Sequence, residues 1–429
     1  MSTSFVFSTW FTLHEDTGQK ILLCTMSASP KGMFWTSDNS VYGAFVVGCI
    51  VTYLFMNKSA SNGPDTSKSS DQSSNAPTVH DKGEVSKSSP REVANSSVGQ
   101  AHPFTREEKY KNCVYLDYNA TTPIFPEVTN AMLPFITNAF GNPSSSHVFA
   151  RPCRDGLQRA RLQIGALVNA KDALREIYLT SCGTESDNRA IDIAIHHFAQ
   201  HKQKWQLAQS ANFNVVSKPH VVTCVTEHPA VINYLRSLVR EQRISLTVLP
   251  VDAQGFVSVA EVKQSLTMDT ALVTIMHSNN EVGTIHPLKE VSQVIKQFNQ
   301  MSKGEACVLL HSDGAQSLGK VLIDVQALDL DMLTIVGHKF GAPKGVAALY
   351  IRSNVETVPM LVGGGQERGV RSGTENVALV VGLGEASRLA LEECSALLLH
   401  MLSLKLRLVT ALVEGFAKPA EVCLIFRIF

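Results

Sequence analysis

The chain has 429 residues, 44% of them hydrophobic and 18% charged, so it can bury a large core. Lys+Arg and Asp+Glu both number 38, giving zero formal net charge. Nucleic-acid binding needs a cationic surface that displaces counterions, so the charge balance argues against nucleic acid as the main partner. The nine cysteines include no C-x-x-C pair. That spacing favours neither a zinc module nor a disulfide framework, and it predicts a reducing compartment, the cytoplasm.

The first 112 residues differ in composition from the rest. Val41–Met56 is an uncharged apolar run, shorter than the roughly 20 residues of a membrane-spanning helix. A buried segment is the favoured interpretation, and membrane contact through residues 41–56 is the alternative. The run starts late and the first arginine is Arg91, which argues against a signal peptide and a mitochondrial presequence. Residues 57–112 are rich in serine and predict a disordered linker after an extension over 1–56.

From residue 113 to residue 416, short β-branched runs alternate with helix-length segments such as Pro287–Asn299. Strands are predicted at Ile177–Thr180, His220–Val225, Leu272–Met276, Val308–His311, Met332–Val336 and Val346–Ile351. This alternation predicts an α/β domain with a mainly parallel sheet between helices. In such sheets ligands bind beyond the carboxyl ends of the strands.

Polar residues follow three of these predicted strands. Gly183 and Thr184 come after the first, at a strand-to-helix turn that can bind an anion. Asp313 and Lys339 follow two later strands, and a lysine beside a buried strand is costly unless it is paired or used chemically. One interpretation is an Asp313–Lys339 salt bridge. The favoured one is pyridoxal 5′-phosphate, with Lys339 bound to the aldehyde, Asp313 at the ring nitrogen and the turn on the phosphate.

Two further residues fit a pyridoxal ring. His228, at the end of another predicted strand, could stack on the ring and shuttle protons. Gln316, expected one helical turn past Asp313, could bind the phenolic oxygen of the ring. Partial burial would lower the pKa of the lysine enough for it to attack a carbonyl.

Longer motifs in the same order carry a resemblance to a known family. The motifs are YLDYNATTP from Tyr115, GNPSS from Gly141, GTESDN from Gly183, Glu227-His228, NNEVG from Asn279, HSDGAQ from His311, Gly337-His338-Lys339, GGGQER from Gly363 and GTEN from Gly373. The chain resembles the cysteine desulfurases and selenocysteine lyases, which are fold-type-I pyridoxal 5′-phosphate enzymes, over about Cys113–Phe416.

The resemblance implies roles for individual residues. It implies Lys339 as the Schiff-base lysine and His228 as the ring-stacking acid/base. Further cofactor contacts are implied for Asp313 (ring nitrogen), Gln316 (ring oxygen), Asn280 (beside the cofactor) and Gly183, Thr184 and His338 (phosphate). Thr374 would reach the phosphate of the other subunit, so a homodimer with shared sites is expected.

The implied reaction converts L-selenocysteine to L-alanine and passes reduced selenium to an acceptor, which could be a protein. Val336 before the Gly-His-Lys motif and Pro359-Met360-Leu361 resemble animal selenocysteine lyases. Arg368–Gly373 is closer to the desulfurases, so desulfuration of L-cysteine is the alternative.

Residues 417–429 do not match the family's C-terminal domain, which carries a catalytic cysteine and a substrate-binding arginine, and Cys423 has no matching context. The small domain is therefore expected to be truncated. A third hypothesis follows, a catalytically impaired form that binds the cofactor and dimerises.

Overall fold

The computed structural model describes residues 114–208, 217–359 and 361–415. The predictions for residues 1–112, including the apolar run Val41–Met56 and the linker, lie outside these residues, as do those for Cys423 and the tail 417–429. Within the described part, the predicted α/β fold is confirmed: one seven-stranded, mostly parallel sheet is packed between helices.

The sheet and its helices alternate along most of the chain. The strands are β1 (Ile177–Thr180), β2 (His220–Cys224), β3 (Ser245–Leu249), β4 (Thr270–Thr274), β5 (Leu309–Asp313), β6 (Met332–Ile335) and β7 (Ala347–Ile351). The helices are α1 (Pro126–Thr137), α2 (Arg151–Leu167), α3 (Ala173–Glu176), α4 (Gly183–Ala208), α5 (Pro229–Arg240), α6 (Val259–Ser265), α7 (Leu288–Met301) and α8 (Val377–Gly415).

The strand order is β1-β7-β6-β5-β4-β2-β3. The β3–β2, β2–β4, β4–β5 and β5–β6 pairs are parallel, whereas β7 is antiparallel to both β6 and β1. The parallel central strands β4, β5 and β6 therefore bring their carboxyl ends to the same edge of the sheet, where Asp313 ends β5.

Several predicted strands differ from the observed ones at their ends. Leu272–Met276 is wrong by two residues, since β4 spans Thr270–Thr274, and β2 ends at Cys224 rather than Val225. Asp313 is the last residue of β5 rather than a residue after it, because the strand pairs with β6 as far as Thr334. The edge strand β3 was not predicted.

Apolar side chains cover both faces of the sheet, as alternation along the strands requires. On one face, strand residues such as Leu333 pack with apolar residues of α1, α2, α7 and α8. On the other, residues such as Met332 pack with α4 and α5. This two-sided cover explains why every residue of the central strands β4, β5 and β6 is buried.

Helix α8 contacts both α1 and α2. A Cβ on Gly384 would lie 2.5 Å from Cα of Ala160, so the absence of a side chain allows α8 and α2 to approach closely. By length and composition alone, residues 377–411 are the one described helix that could cross a membrane. Because Leu383 and Ala386 are buried in the core with α2, the first half of α8 is a packed helix of the domain.

Candidate active site

Lys339 ends a short 3₁₀ turn, Gly337–Lys339, directly after β6. Burial lowers the pKa of its ammonium group, although the carboxylates of Asp313, Asp187 and Asp117 act in the opposite direction. Among the described residues its Nζ has no hydrogen-bond or ion-pair partner, so the predicted alternative of an Asp313–Lys339 salt bridge is wrong. A largely buried amine without a partner is suited to act as a nucleophile.

Asp313 presents its carboxyl group at the end of the central strand β5. Its side chain is buried, and Oδ1 accepts a hydrogen bond of 2.8 Å from the N–H of Ala315. Ligand-capable atoms of Asp313, Asp187 and His228 all lie within 4.8 Å of one another. The structure thus brings together the predicted residues Asp313 and His228, and it adds Asp187, to which the sequence assigned no role.

His228 is the N-cap of α5, and the following Pro229 occupies the first helical position. Its Nδ1 accepts a hydrogen bond of 3.1 Å from the N–H of Ala230. Burial lowers the pKa of this imidazole, which is opposed by Asp313 and reinforced by Lys339. In the neutral ring the proton is therefore on Nε2, which can donate it. A protonated Nε2 is not a metal ligand, so the cluster of His228 with Asp187 and Asp313 is not built for a metal ion.

The predicted anion-binding turn lies at the N-terminus of α4, a 26-residue helix that begins at Gly183. A Cβ on Gly183 would lie 2.6 Å from Cγ2 of Val336, so only glycine fits against the residue that precedes the Gly-His-Lys turn. Glu185 accepts hydrogen bonds from the N–H and hydroxyl of Ser181 at 2.7 and 2.5 Å. Free N–H groups at such a turn bind phosphate. Thr184 is exposed there.

His338, the residue before Lys339, is half-buried, and its Nδ1 lies 3.2 Å from the hydroxyl of Thr121. Its carbonyl oxygen accepts a hydrogen bond of 2.8 Å from the N–H of Thr122. The segment before α1, which belongs to the first predicted motif, is thereby fixed to the lysine turn.

The remaining predicted residues are less closely tied to the cluster. Gln316 is buried in a turn, not in a helix as expected, because residues 315–320 after β5 form successive turns. Its Nε2 donates to the carbonyl of Asn119 at 3.1 Å and its Oε1 accepts from Lys320 at 3.0 Å. Asn280 is half-buried and Thr374 is exposed. Their contacts with a cofactor, and that of Gln316, stay predictions.

Sequence reasoning missed three buried polar residues beneath the site. His311 is fully buried in β5 and burial lowers its pKa to about 3. Burial also raises the pKa of Glu227 to about 8, although the N–H of Met276 donates to it. Asp187 is the third. The sequence did contain one indication of their importance: each of the three lies in a motif that also contains a predicted site residue.

Comparisons with known proteins show the family of the chain. The model of the aminotransferase class-V family matches residues 114–401. The chain belongs to this family. A cysteine desulfurase from Trichormus azollae is 43% identical over 278 residues, which cover 65% of this chain and 62% of that protein. A selenocysteine lyase from Rattus norvegicus is 41% identical over 316 residues, 71% of this chain and 72% of that protein.

Solved structures give the same family. A NifS-like protein superposes with a TM-score of 0.61 at 34% identity, covering 69% of this chain and 74% of that one. A structure titled as SspA in complex with cysteine gives a TM-score of 0.54 at 33% identity, covering 63% and 71%. The chain spans about 62% of the length of the desulfurases that it matches.

Enzymes of this family use pyridoxal 5′-phosphate, and the residues present fit it. Lys339 would provide the amine for the aldehyde and Asp313 a carboxyl group for the ring nitrogen. The turn at Gly183 would provide backbone donors for the phosphate. In the same cluster the buried Oδ1 of Asp187 has no hydrogen-bond partner among the described residues.

Proposed function

We propose that this chain is a pyridoxal 5′-phosphate-dependent lyase that releases the chalcogen of L-selenocysteine or L-cysteine and forms L-alanine. The observation that carries the proposal is Lys339, a largely buried amine that has no ion-pair partner although the carboxyl group of Asp313 is near. A lysine in a purely structural role would form the salt bridge.

Each residue of the cluster has a task in this reaction. The bound cofactor acts as an electron sink for the bonds around the substrate's α-carbon. Lys339 would hold the cofactor covalently, and burial, which lowers the pKa of its ammonium group, favours the neutral amine that attacks the aldehyde. Asp313 keeps a proton on the ring nitrogen. The Nε2–H of His228 can give a proton to the departing chalcogen or to the product carbon.

Of the two substrates we propose L-selenocysteine. Val336, buried against Gly183, places an apolar side chain where many desulfurases have a serine that binds phosphate. The match to a selenocysteine lyase also covers more of both chains, 71% and 72%, than the match to a desulfurase, 65% and 62%. A selenium acceptor, a homodimer with Thr374 at the partner's site and a cytoplasmic location are parts of the same proposal.

Borohydride reduction followed by peptide mass mapping tests the cofactor site. We expect a reduced pyridoxyl adduct on Lys339 and none on the matched Lys339→Ala variant. An adduct on other lysines only, or none, would refute the proposed function. Alanine, selenide and sulfide measured with each amino acid then test the substrate, and turnover of cysteine equal to or faster than that of selenocysteine would refute the selenium assignment.

The cofactor-binding form with impaired turnover that the sequence analysis raised stays a prediction. Under this prediction the adduct on Lys339 forms but neither amino acid yields alanine. Steady alanine production from either substrate would exclude it.

A further inference from the structure

We propose that Asp187 is a neutral carboxylic acid in the folded protein and a positioning residue for Asp313. The pair would then carry one negative charge, located on the carboxyl group that faces the cofactor's ring nitrogen. The protonation of Asp187 is a property of the polypeptide alone, whereas its effect on cofactor binding rests on the proposed function.

The first observation is the burial of Asp187 without sufficient hydrogen bonds. The residue lies in the first turns of α4 and is 2% exposed. Its Oδ1 is buried and has no hydrogen-bond partner. An ionised carboxylate has about four acceptor positions and is costly to bury unless donors fill them. A protonated carboxyl group needs fewer donors and avoids the cost of a buried charge.

The second observation is the number of carboxyl groups in one place. Asp187 lies beside Asp313. Burial, together with the charge of Asp313, holds the pKa of Asp187 well above its ordinary value, although Thr334 and Lys339 act in the opposite direction. Closely spaced buried carboxyl groups cannot all ionise at neutral pH.

The third observation separates the two aspartates. Asp313 accepts a backbone N–H from Ala315, and such a bond stabilises the ionised form. No such donor reaches Oδ1 of Asp187. The shared proton is therefore placed on Asp187, and the charge on Asp313.

Neither neighbouring histidine supplies a positive charge that would stabilise an ionised Asp187. The Nε2 of His311 lies 3.8 Å from Oδ1 of Asp187. Both ring nitrogens of His311 are occupied, by the hydroxyls of Thr274 at 2.9 Å and Thr334 at 3.1 Å. Burial lowers the pKa of His311 to about 3, so it is neutral at pH 7. The pKa of His228, likewise lowered by burial, makes it a poor counter-ion too.

Asparagine at position 187 would keep the shape and neutrality that the proposal assigns to this residue. The proposal therefore predicts different outcomes for the same substitution, aspartate to asparagine, at positions 187 and 313. Asp187→Asn should be tolerated, whereas the matched Asp313→Asn removes the charge that the ring nitrogen needs. Asp187→Leu, which is also neutral but cannot form hydrogen bonds, should be impaired, and asparagine at the same position should restore function.

Infrared spectroscopy with ¹³C-labelled aspartate tests the proton directly on the cofactor-free protein. We expect the C=O stretch of a buried protonated carboxylic acid at pH 7, shifted in D₂O and absent from Asp187→Asn. Absence of this band from the native protein, or its persistence in Asp187→Asn, would overturn the proposal whether or not the protein is an enzyme.

Pyridoxal 5′-phosphate titration by absorbance tests the positioning role. Asp187→Leu should weaken binding and shift the pH dependence of the cofactor's absorbance, and Asp187→Asn should restore most of this loss, while Asp313→Asn should weaken binding more than about tenfold. Native-like affinity in Asp187→Leu, or a loss in Asp187→Asn as large as that in Asp313→Asn, would overturn the role assigned to Asp187. If the native protein binds no cofactor, the proposed function fails, and the infrared result still decides the protonation of Asp187.

Discussion

Arg371 and Glu185 join the segment between β7 and α8 to the first turn of α4. The Nε of Arg371 lies 2.9 Å from Oε1 of Glu185 and its second guanidinium nitrogen lies 3.3 Å from Oε2. The two side chains are 23% and 19% exposed. Glu185 also bonds to Ser181, so one carboxylate fixes both the proposed phosphate turn and the segment that leads to Thr374.

Arg371→Gln should therefore weaken cofactor binding without direct contact between Arg371 and the phosphate. Without Arg371, Glu185 is no longer held in place, and the turn at Ser181 that it binds becomes less ordered. Part of the free energy of phosphate binding is then spent on ordering this turn. We expect roughly a tenfold rise in the dissociation constant for pyridoxal 5′-phosphate, measured by absorbance titration.

A double-mutant cycle with Glu185→Gln isolates the contribution of the Arg371–Glu185 pair to the free energy of cofactor binding. We expect a coupling energy of about 1 kcal/mol or more between the two positions. Lys204→Gln, which breaks the exposed pair of Lys204 and Glu356, is the control and should leave affinity unchanged. Strictly additive losses at positions 185 and 371 would contradict this prediction.

The buried Glu367 anchors the same segment to β1. It accepts two hydrogen bonds from the guanidinium of Arg161, at 2.6 and 2.8 Å, and one of 2.8 Å from the N–H of Leu179. Removing one partner of a buried ion pair leaves an uncompensated charge, so Glu367→Gln should reduce the free energy of unfolding by about 3 kcal/mol.

Chemical denaturation at pH 7 measures this loss. The matched control is Glu392→Gln, which removes an exposed i,i+4 pair with Arg388 and should cost less than about 1 kcal/mol. Similar losses in the two variants would show that burial does not determine the strength of the Arg161–Glu367 pair.

The sequence was sufficient for the central strands and for the residues at their ends. Strands β5 and β6 are short and buried on both faces, and polar residues such as Asp313 and Lys339 mark where the chain leaves the sheet. The edge strand β3 was missed because Ser245–Leu249 is only partly covered, so its mixture of polar and apolar residues resembles a loop.

The site was predicted less completely than the fold. Asp187 lies one turn into a helix, and nothing in the local sequence indicates that its carboxyl group faces Asp313 from another element. The hydrogen bond that fixes the tautomer of His228 likewise depends on the N-cap geometry of α5. Contacts between side chains that come from different helices and strands can be identified only in the three-dimensional structure.

Gly183→Ala should damage the proposed phosphate turn through a defined clash. The new Cβ would lie 2.6 Å from Cγ2 of Val336, which is buried and cannot move freely. We expect a lower melting temperature and weaker cofactor binding. Val336→Ala removes the clashing atom, so the double variant should recover much of the loss relative to Gly183→Ala. If the double variant recovers nothing, the clash with Val336 is not the cause of the loss.

Buried histidines should make the fold sensitive to acid. Burial lowers the pKa values of His277 and His286 to about 4 and that of His311 to about 3. Below the ordinary value of about 6.5, the unfolded chain binds protons that the folded one does not. The free energy of unfolding should therefore fall as pH decreases from 6.5 to 4, with a smaller fall in His277→Gln, measured by denaturant titration at each pH.

Glu227 should act in the opposite direction, at higher pH. Burial raises its pKa to about 8 from an ordinary value of 4.5, so between these values the folded protein holds a proton that the unfolded chain releases. Its contribution to stability is complete below pH 4.5 and is lost as pH rises through 8. Glu227→Gln, which stays neutral and can still accept the N–H of Met276, should flatten the decline between pH 6.5 and 9. The exposed Glu241→Gln should leave the slope unchanged, and an unaltered slope in Glu227→Gln would mean that this carboxyl group is already ionised in the folded protein.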